Sequence, residues 1–174
     1  MSIRLPGLVL ASLLASACTS AEASLVMHRK LAGEADANGW YLARSTQGGF
    51  AVRLPAQFND FTVPASRLEN GYEAEIDVVG TQIKDVGKFS ASCFRYVGKA
   101  PGKDEIVAPF AGKGSTAFKD AHGEGVQVRT DAGYTRVYAI PGRSCLLVVE
   151  VYDAEVVTDA VVEQFFSSFE LVAD

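Results

Sequence analysis

The sequence predicts an α+β fold: a mostly antiparallel sheet of about six to eight strands with helices packed on it, in a single domain. Three observations predict it. Residues 125–152 read as strand, turn, strand, turn, strand. Val126 and Val128 alternate with Gln127 and Arg129, and Asp131-Ala132-Gly133 and Pro141-Gly142-Arg143 are turn signals. Next, Val157, Val161, Val162, Phe165, Phe166 and Phe169 recur at helical spacing over residues 156–169, which makes one apolar stripe suited to covering a sheet. Finally, residues 72–79 alternate strictly. Tyr72, Ala74, Ile76 and Val78 are expected toward the core, and Glu73, Glu75 and Asp77 toward water.

The run 144–152 is the most apolar of the chain. Cys145, Leu147, Val149 and Val151 form one face, and Leu146, Val148, Glu150 and Tyr152 the other. Both faces are mainly apolar, so this strand is expected at the centre of its sheet, covered on both sides, with Val148 and Phe165 buried. A length of 174 residues suffices for one domain with a real core, and 48% hydrophobic against 21% charged residues is a globular composition. The net charge of −5 disfavours nucleic acid or an anionic membrane surface as a partner, because both repel an acidic chain.

The first residues read as an address rather than as structure. Arg4 is a minimal positive region, and residues 8–14 are a short apolar stretch, too short to span a bilayer. Two cleavage readings stand side by side. Ala21-Glu22-Ala23 has the form a general signal peptidase reads. Leu14-Ala15-Ser16-Ala17-Cys18 resembles a bacterial lipobox, with Ala15 where leucine is more usual. That resemblance implies a signal peptide over residues 1–17 and a lipid on Cys18. Thr19 after the cysteine implies sorting to the outer membrane, facing the periplasm; a soluble periplasmic or secreted protein is the alternative. Residues 18–38 then read as a tether, with a short helical piece around residues 27–35, and residues 39–174 as the folded domain.

Within that domain, residues 39–45 and 50–54 read as strands, closed by Pro55. Residues 57–67 read as irregular, with Phe58 and Phe61 tucked under the sheet. Residues 87–97 pair with 72–79 as a hairpin across residues 84–86, and put Phe89, Ala91 and Cys93 on one face. Residues 99–123 hold a fair helix start at Asp104-Glu105, but Pro109, Gly112 and Gly114 argue for a broken helix or crossover.

The order of Gly48-Gly49-Phe50-Ala51-Val52-Arg53-Leu54-Pro55, the strand 123–129 before a tyrosine-rich hairpin, and the closing Phe165-Phe166-Ser167-Ser168-Phe169 resembles bacterial envelope proteins with a PsbP-like fold. The resemblance covers about residues 40–172 and implies an antiparallel sheet between helical layers. It carries over no catalytic or binding residue, because the matching positions are core and turn positions.

Candidate chemistry is sparse. Cys93 and Cys145 are either a disulfide, which an envelope compartment favours, or two buried thiols; spacing alone does not choose. Only His28 and His122 could activate a cysteine, and both fall in segments read as tether or loop. Glu73, Glu75 and Asp77 lie about 6.6–6.8 Å apart along a strand face and cannot converge on a calcium ion alone. Ala111-Gly112-Lys113-Gly114-Ser115-Thr116 fails the phosphate-loop pattern, since Val107 stands at the first glycine and Gly114 after the lysine. No catalytic residue, metal ligand or cofactor is assigned. The leading expectation is a non-enzymatic binding or accessory domain on a membrane, reached through an N-terminal lipid anchor, with an envelope protein as partner. The alternative is a small envelope enzyme that uses carboxylates on cell-wall or lipid material.

Overall fold

The structure is a computed structural model, and it describes residues 24–172. Eleven strands and two short helices follow in order: β1 (Val26–Ala32), β2 (Tyr41–Arg44), β3 (Phe50–Leu54), β4 (Phe58–Arg67), β5 (Glu73–Ile83), β6 (Gly87–Tyr96), α1 (Lys103–Val107), β7 (Ser115–Asp120), β8 (Gly123–Thr130), β9 (Gly133–Ile140), β10 (Arg143–Val151), α2 (Asp159–Ser167) and β11 (Glu170–Leu171). Eight strands form one antiparallel sheet in the order β1-β4-β5-β6-β10-β9-β8-β7, and β11-β3-β2 form a second, smaller one.

The α+β expectation is overturned. Strands make up 54% of the described residues and helices 11%. The expected helical layers, including those implied by the PsbP-like resemblance, are reduced to a nine-residue α2 and a five-residue α1. Thr158 caps α2 and Ser168 ends it, so Val157 and Phe169 of the apolar stripe lie outside the helix, yet both are buried. After α1 the chain breaks into a single 3₁₀ turn, Ala108–Phe110, at Pro109.

Three strands occupy segments expected to be something else. β1 lies where a tether with a helical piece was expected, β4 in the irregular segment, and β7 at the end of the crossover. In β4 the inward positions are Phe58, Asp60 and Thr62, so two of three buried side chains are polar and the alternation carries no hydrophobic signal.

The register fixes which residues share a face. One row across the large sheet runs Thr62, Asp77, Cys93, Cys145, Tyr138, Gly125, Phe118. The next runs Asp60, Val79, Ala91, Leu147, Arg136, Gln127. This is the inner face. The small sheet and α2 cover it, with Phe165 edge-on to Phe89 at 5.6 Å and Phe169 stacked on Tyr138 at 4.9 Å. Gly125 in this row is required by close approach: a Cβ there would sit 1.7 Å from the carbonyl oxygen of Val137.

The face of β5 is the reverse of the one expected. Asp77 points inward, and Ile76 and Val78 point to the outer face beside Phe61 and Phe94. The period was legible but not its phase, because a carboxylate can face inward when hydrogen-bond donors meet it there. β10 stands fifth of eight, between β6 and β9, but it is fully covered on one side only. Val148 is half-buried rather than buried; α1 and the turn after it pack on the outer face chiefly over β8 and β9.

Candidate functional site

The chemically richest region is the inner face where β1, β4, β5 and β6 meet. Two carboxylates there, Asp60 and Asp77, are 0% exposed. A buried carboxylate is very costly unless it is paired and hydrogen-bonded, and both are. Asp77 Oδ1 accepts from Thr62 Oγ1 (2.7 Å), and Oδ2 accepts from Arg95 Nε (2.8 Å); Arg95 also donates to Glu75. Asp60 Oδ2 accepts from Arg29 Nε (3.0 Å) and Nη2 (2.8 Å), from Thr46 Oγ1 (2.6 Å) and from the Thr46 backbone N–H (3.1 Å). The turn between β2 and β3 closes over them. A Cβ on Gly48 would fall 2.8 Å from the Asp77 Cβ, so the turn can approach this closely only with glycine there.

His28 joins the network, with Nε2 2.8 Å from Thr62 Oγ1. The direction of the protons decides what this trio can do. The single hydroxyl proton of Thr62 goes to Asp77, so His28 Nε2 must donate to Thr62. An activated nucleophile needs the opposite polarity, with the imidazole accepting the hydroxyl proton. The arrangement therefore ties strands together rather than activating Thr62. Its effect is to fasten β1: Arg29 and His28 both clamp it to β4, and Arg29 reaches across to the Arg44 carbonyl of β2.

The other sequence candidates are dispersed. Cys93 and Cys145 are brought together as directly paired residues of β6 and β10, both 0% exposed, with sulfurs 2.00 Å apart and Cα atoms 4.1 Å apart. They form a disulfide in the core. Cys18 and both proposed cleavage sites lie outside the described residues. Glu73 is exposed, Glu75 pairs with Arg95, and Asp77 is buried, so the three do not converge. His122 lies in the β7–β8 turn with its ring 6.1 Å from that of Phe169. The stretch 111–116 is an exposed turn into β7, closed by Ser115 Oγ donating to the Gly112 carbonyl. Among the described residues, no group of three His, Cys, Asp or Glu side chains could hold a metal ion.

Tyr138 is the buried group whose titration is most displaced. Burial, together with its hydrogen bond to Asp120 Oδ2 (2.8 Å), pushes the phenol far above its ordinary value, so it is a fixed donor. Arg136, 9% exposed, lies between the rings of Phe118 (5.0 Å) and Phe166 (4.7 Å) and donates to Gln127. Cavities are modest. A crevice of about 200 Å³ opens between Trp40, Pro55, Val86, Phe89 and Val157. That is below the range of about 300–1,000 Å³ usual for small-molecule sites; an open cleft of about 390 Å³ beside Arg67, Tyr72, Glu73, Val97 and Lys99 reaches only its lower end.

The surface is more telling than the cavities. Four of the eight exposed large apolar residues among those described, Leu25, Val26, Met27 and Leu31, fall on β1 and the residue before it. From Met27 the apolar surface continues onto the outer face through half-exposed Phe61, Val63, Ile76 and Phe94. Sequence reasoning missed β1, Asp60, Thr62 and Arg29. The one available signal was the run Val26-Met27-His28-Arg29-Lys30-Leu31, apolar at both ends of a basic centre inside a supposed tether. Among the described residues no helix is long and apolar enough to cross a membrane. Compared with protein-family models, curated proteins and solved structures, the chain matches none.

Proposed function

We propose that this is an exported bacterial envelope lipoprotein, held on the outer membrane facing the periplasm by a lipid on Cys18, and that its domain is a non-enzymatic binding or accessory module. The reading of the address rests on residues 14–18 and on Thr19. The observation that carries the binding role is the concentration of exposed apolar side chains on β1, continuous with the half-exposed outer face of β4 and β5. A contiguous apolar surface of this kind marks an interaction site. The buried polar network supports the same role, since it holds an edge strand in a fixed place.

Metabolic labelling with a clickable fatty acid tests the anchor. The wild type is expected to take up label and to fractionate with membranes, and Cys18→Ala to lose both. Equal labelling of the two, or release of unlipidated protein cut after Ala23, refutes the lipoprotein reading.

A further inference from the structure

We infer that the β1 edge is itself a membrane-contact surface, seated in the headgroup region of the bilayer. This rests on the lipid anchor proposed above and adds an orientation to it. Three features of β1 point there. The first is apolar exposure: Leu25 is 53% and Leu31 60% exposed, with Val26 and Met27 close to half. The second is charge. β1 carries no acid and exposes Lys30 between its apolar ends, in a chain of net charge −5, while Arg29 is already paired with the buried Asp60; the free charge this strand offers to anionic headgroups is therefore positive. The third is reach. Leu25 stands seven residues after Cys18, and seven residues span at most about 25 Å even when fully extended. An acylated cysteine thus keeps the start of β1 within about 25 Å of the lipid, close enough for the strand to lie on the membrane surface.

An extended peptide adding to this edge is the rival occupant, and the backbone argues against it. The pairing of β1 with β4 slips between Met27 and Arg29 and again between Arg29 and Ala32, and Leu31 has a positive φ of 47°. Two irregularities in seven residues break the row of free N–H and C=O groups that an incoming strand needs. What the edge offers is side chains, apolar ones flanking a basic centre, and that is the chemistry of an interfacial segment.

The test uses the lipidated full-length protein purified from membranes and placed in phosphatidylethanolamine–phosphatidylglycerol vesicles, with and without brominated acyl chains. Tryptophan is introduced at Met27→Trp, with Leu25→Trp as a second probe in case the first misfolds, and at Ala117→Trp on β7, the opposite edge of the sheet. The native Trp40 is buried and serves as the common background. A ring seated about 5–10 Å into the headgroup and acyl boundary is expected to lose about half or more of its emission in brominated vesicles. That loss at position 27 or 25, with none at 117, is the result expected. Vesicle-bound protein in which neither β1 probe is quenched overturns the contact and leaves the anchor standing. Equal quenching at both edges also overturns it. Intact mass showing no acyl group overturns the anchor and the contact together.

Discussion

Opening the Cys93–Cys145 bond is the perturbation with the most calculable effect. The two residues are 52 apart in sequence, and a closed loop of that length removes enough unfolded-state entropy to stabilise the fold by about 4 kcal/mol on the chain-entropy model. The native side of the balance should change little. β6 and β10 are paired in unbroken register from Arg143↔Arg95 to Val151↔Gly87, so the ladder itself keeps the cysteines opposite one another after reduction. With a urea dependence of about 2 kcal/mol/M, the loss corresponds to a midpoint lower by roughly 2 M. The assay is equilibrium urea unfolding followed by the fluorescence of Trp40, the only tryptophan, on protein unfolded with dithiothreitol and refolded with it, against protein never reduced. Two midpoints within about 0.3 M of each other, against the roughly 2 M expected, would refute the entropic reasoning. Two alkylated thiols in denatured, unreduced protein would refute the bond itself.

Phe165 is 0% exposed and packs edge-on against Phe89, so Phe165→Ala is expected to cost about 3–5 kcal/mol in urea unfolding; a loss under about 1 kcal/mol would show that α2 does not seal the sheet. Tyr138 has a folded-state pKa raised above its unfolded value, so its contribution is fully present below about pH 10 and is lost as pH rises through the folded value. Wild-type stability is therefore expected to fall above about pH 10, and Tyr138→Phe to flatten that fall while costing about 1 kcal/mol at neutral pH; equal slopes in the two proteins would refute the assignment.

Much of the second half of the chain was legible, and for one reason. From β10 to α2 the inner positions are apolar, so period and burial coincide: Cys145, Leu147 and Val149 are buried, as are Val162, Phe165 and Phe166 of the covering helix. In the first half they part company. β4 and β5 place Asp60, Thr62 and Asp77 inward, and those side chains are stable there only because Arg29, Arg95 and Thr46 reach them from other strands and a turn. Such partners are long-range and leave no local pattern, so β4 looked irregular and β5 was assigned the wrong inner face. β1 carries no alternation at all, since it is an edge strand exposed along much of its length. The α+β expectation failed because the small sheet takes a place on the inner face that the helical stripe suggested helices would fill.

The strand order of the large sheet also bears on how the protein reaches its fold. Five of its seven joins are hairpins between consecutive strands, from β4 to β6 and from β7 to β10. Each can zip from its own turn at little entropic cost. The join of β6 to β10 is different: it must find its register between two meanders built separately. That search is the slow step expected of a sheet of this topology, and until it ends both meanders expose an unpaired edge. The disulfide lies on this join, so once oxidised, the two meanders search for register from beside one another rather than across a free chain.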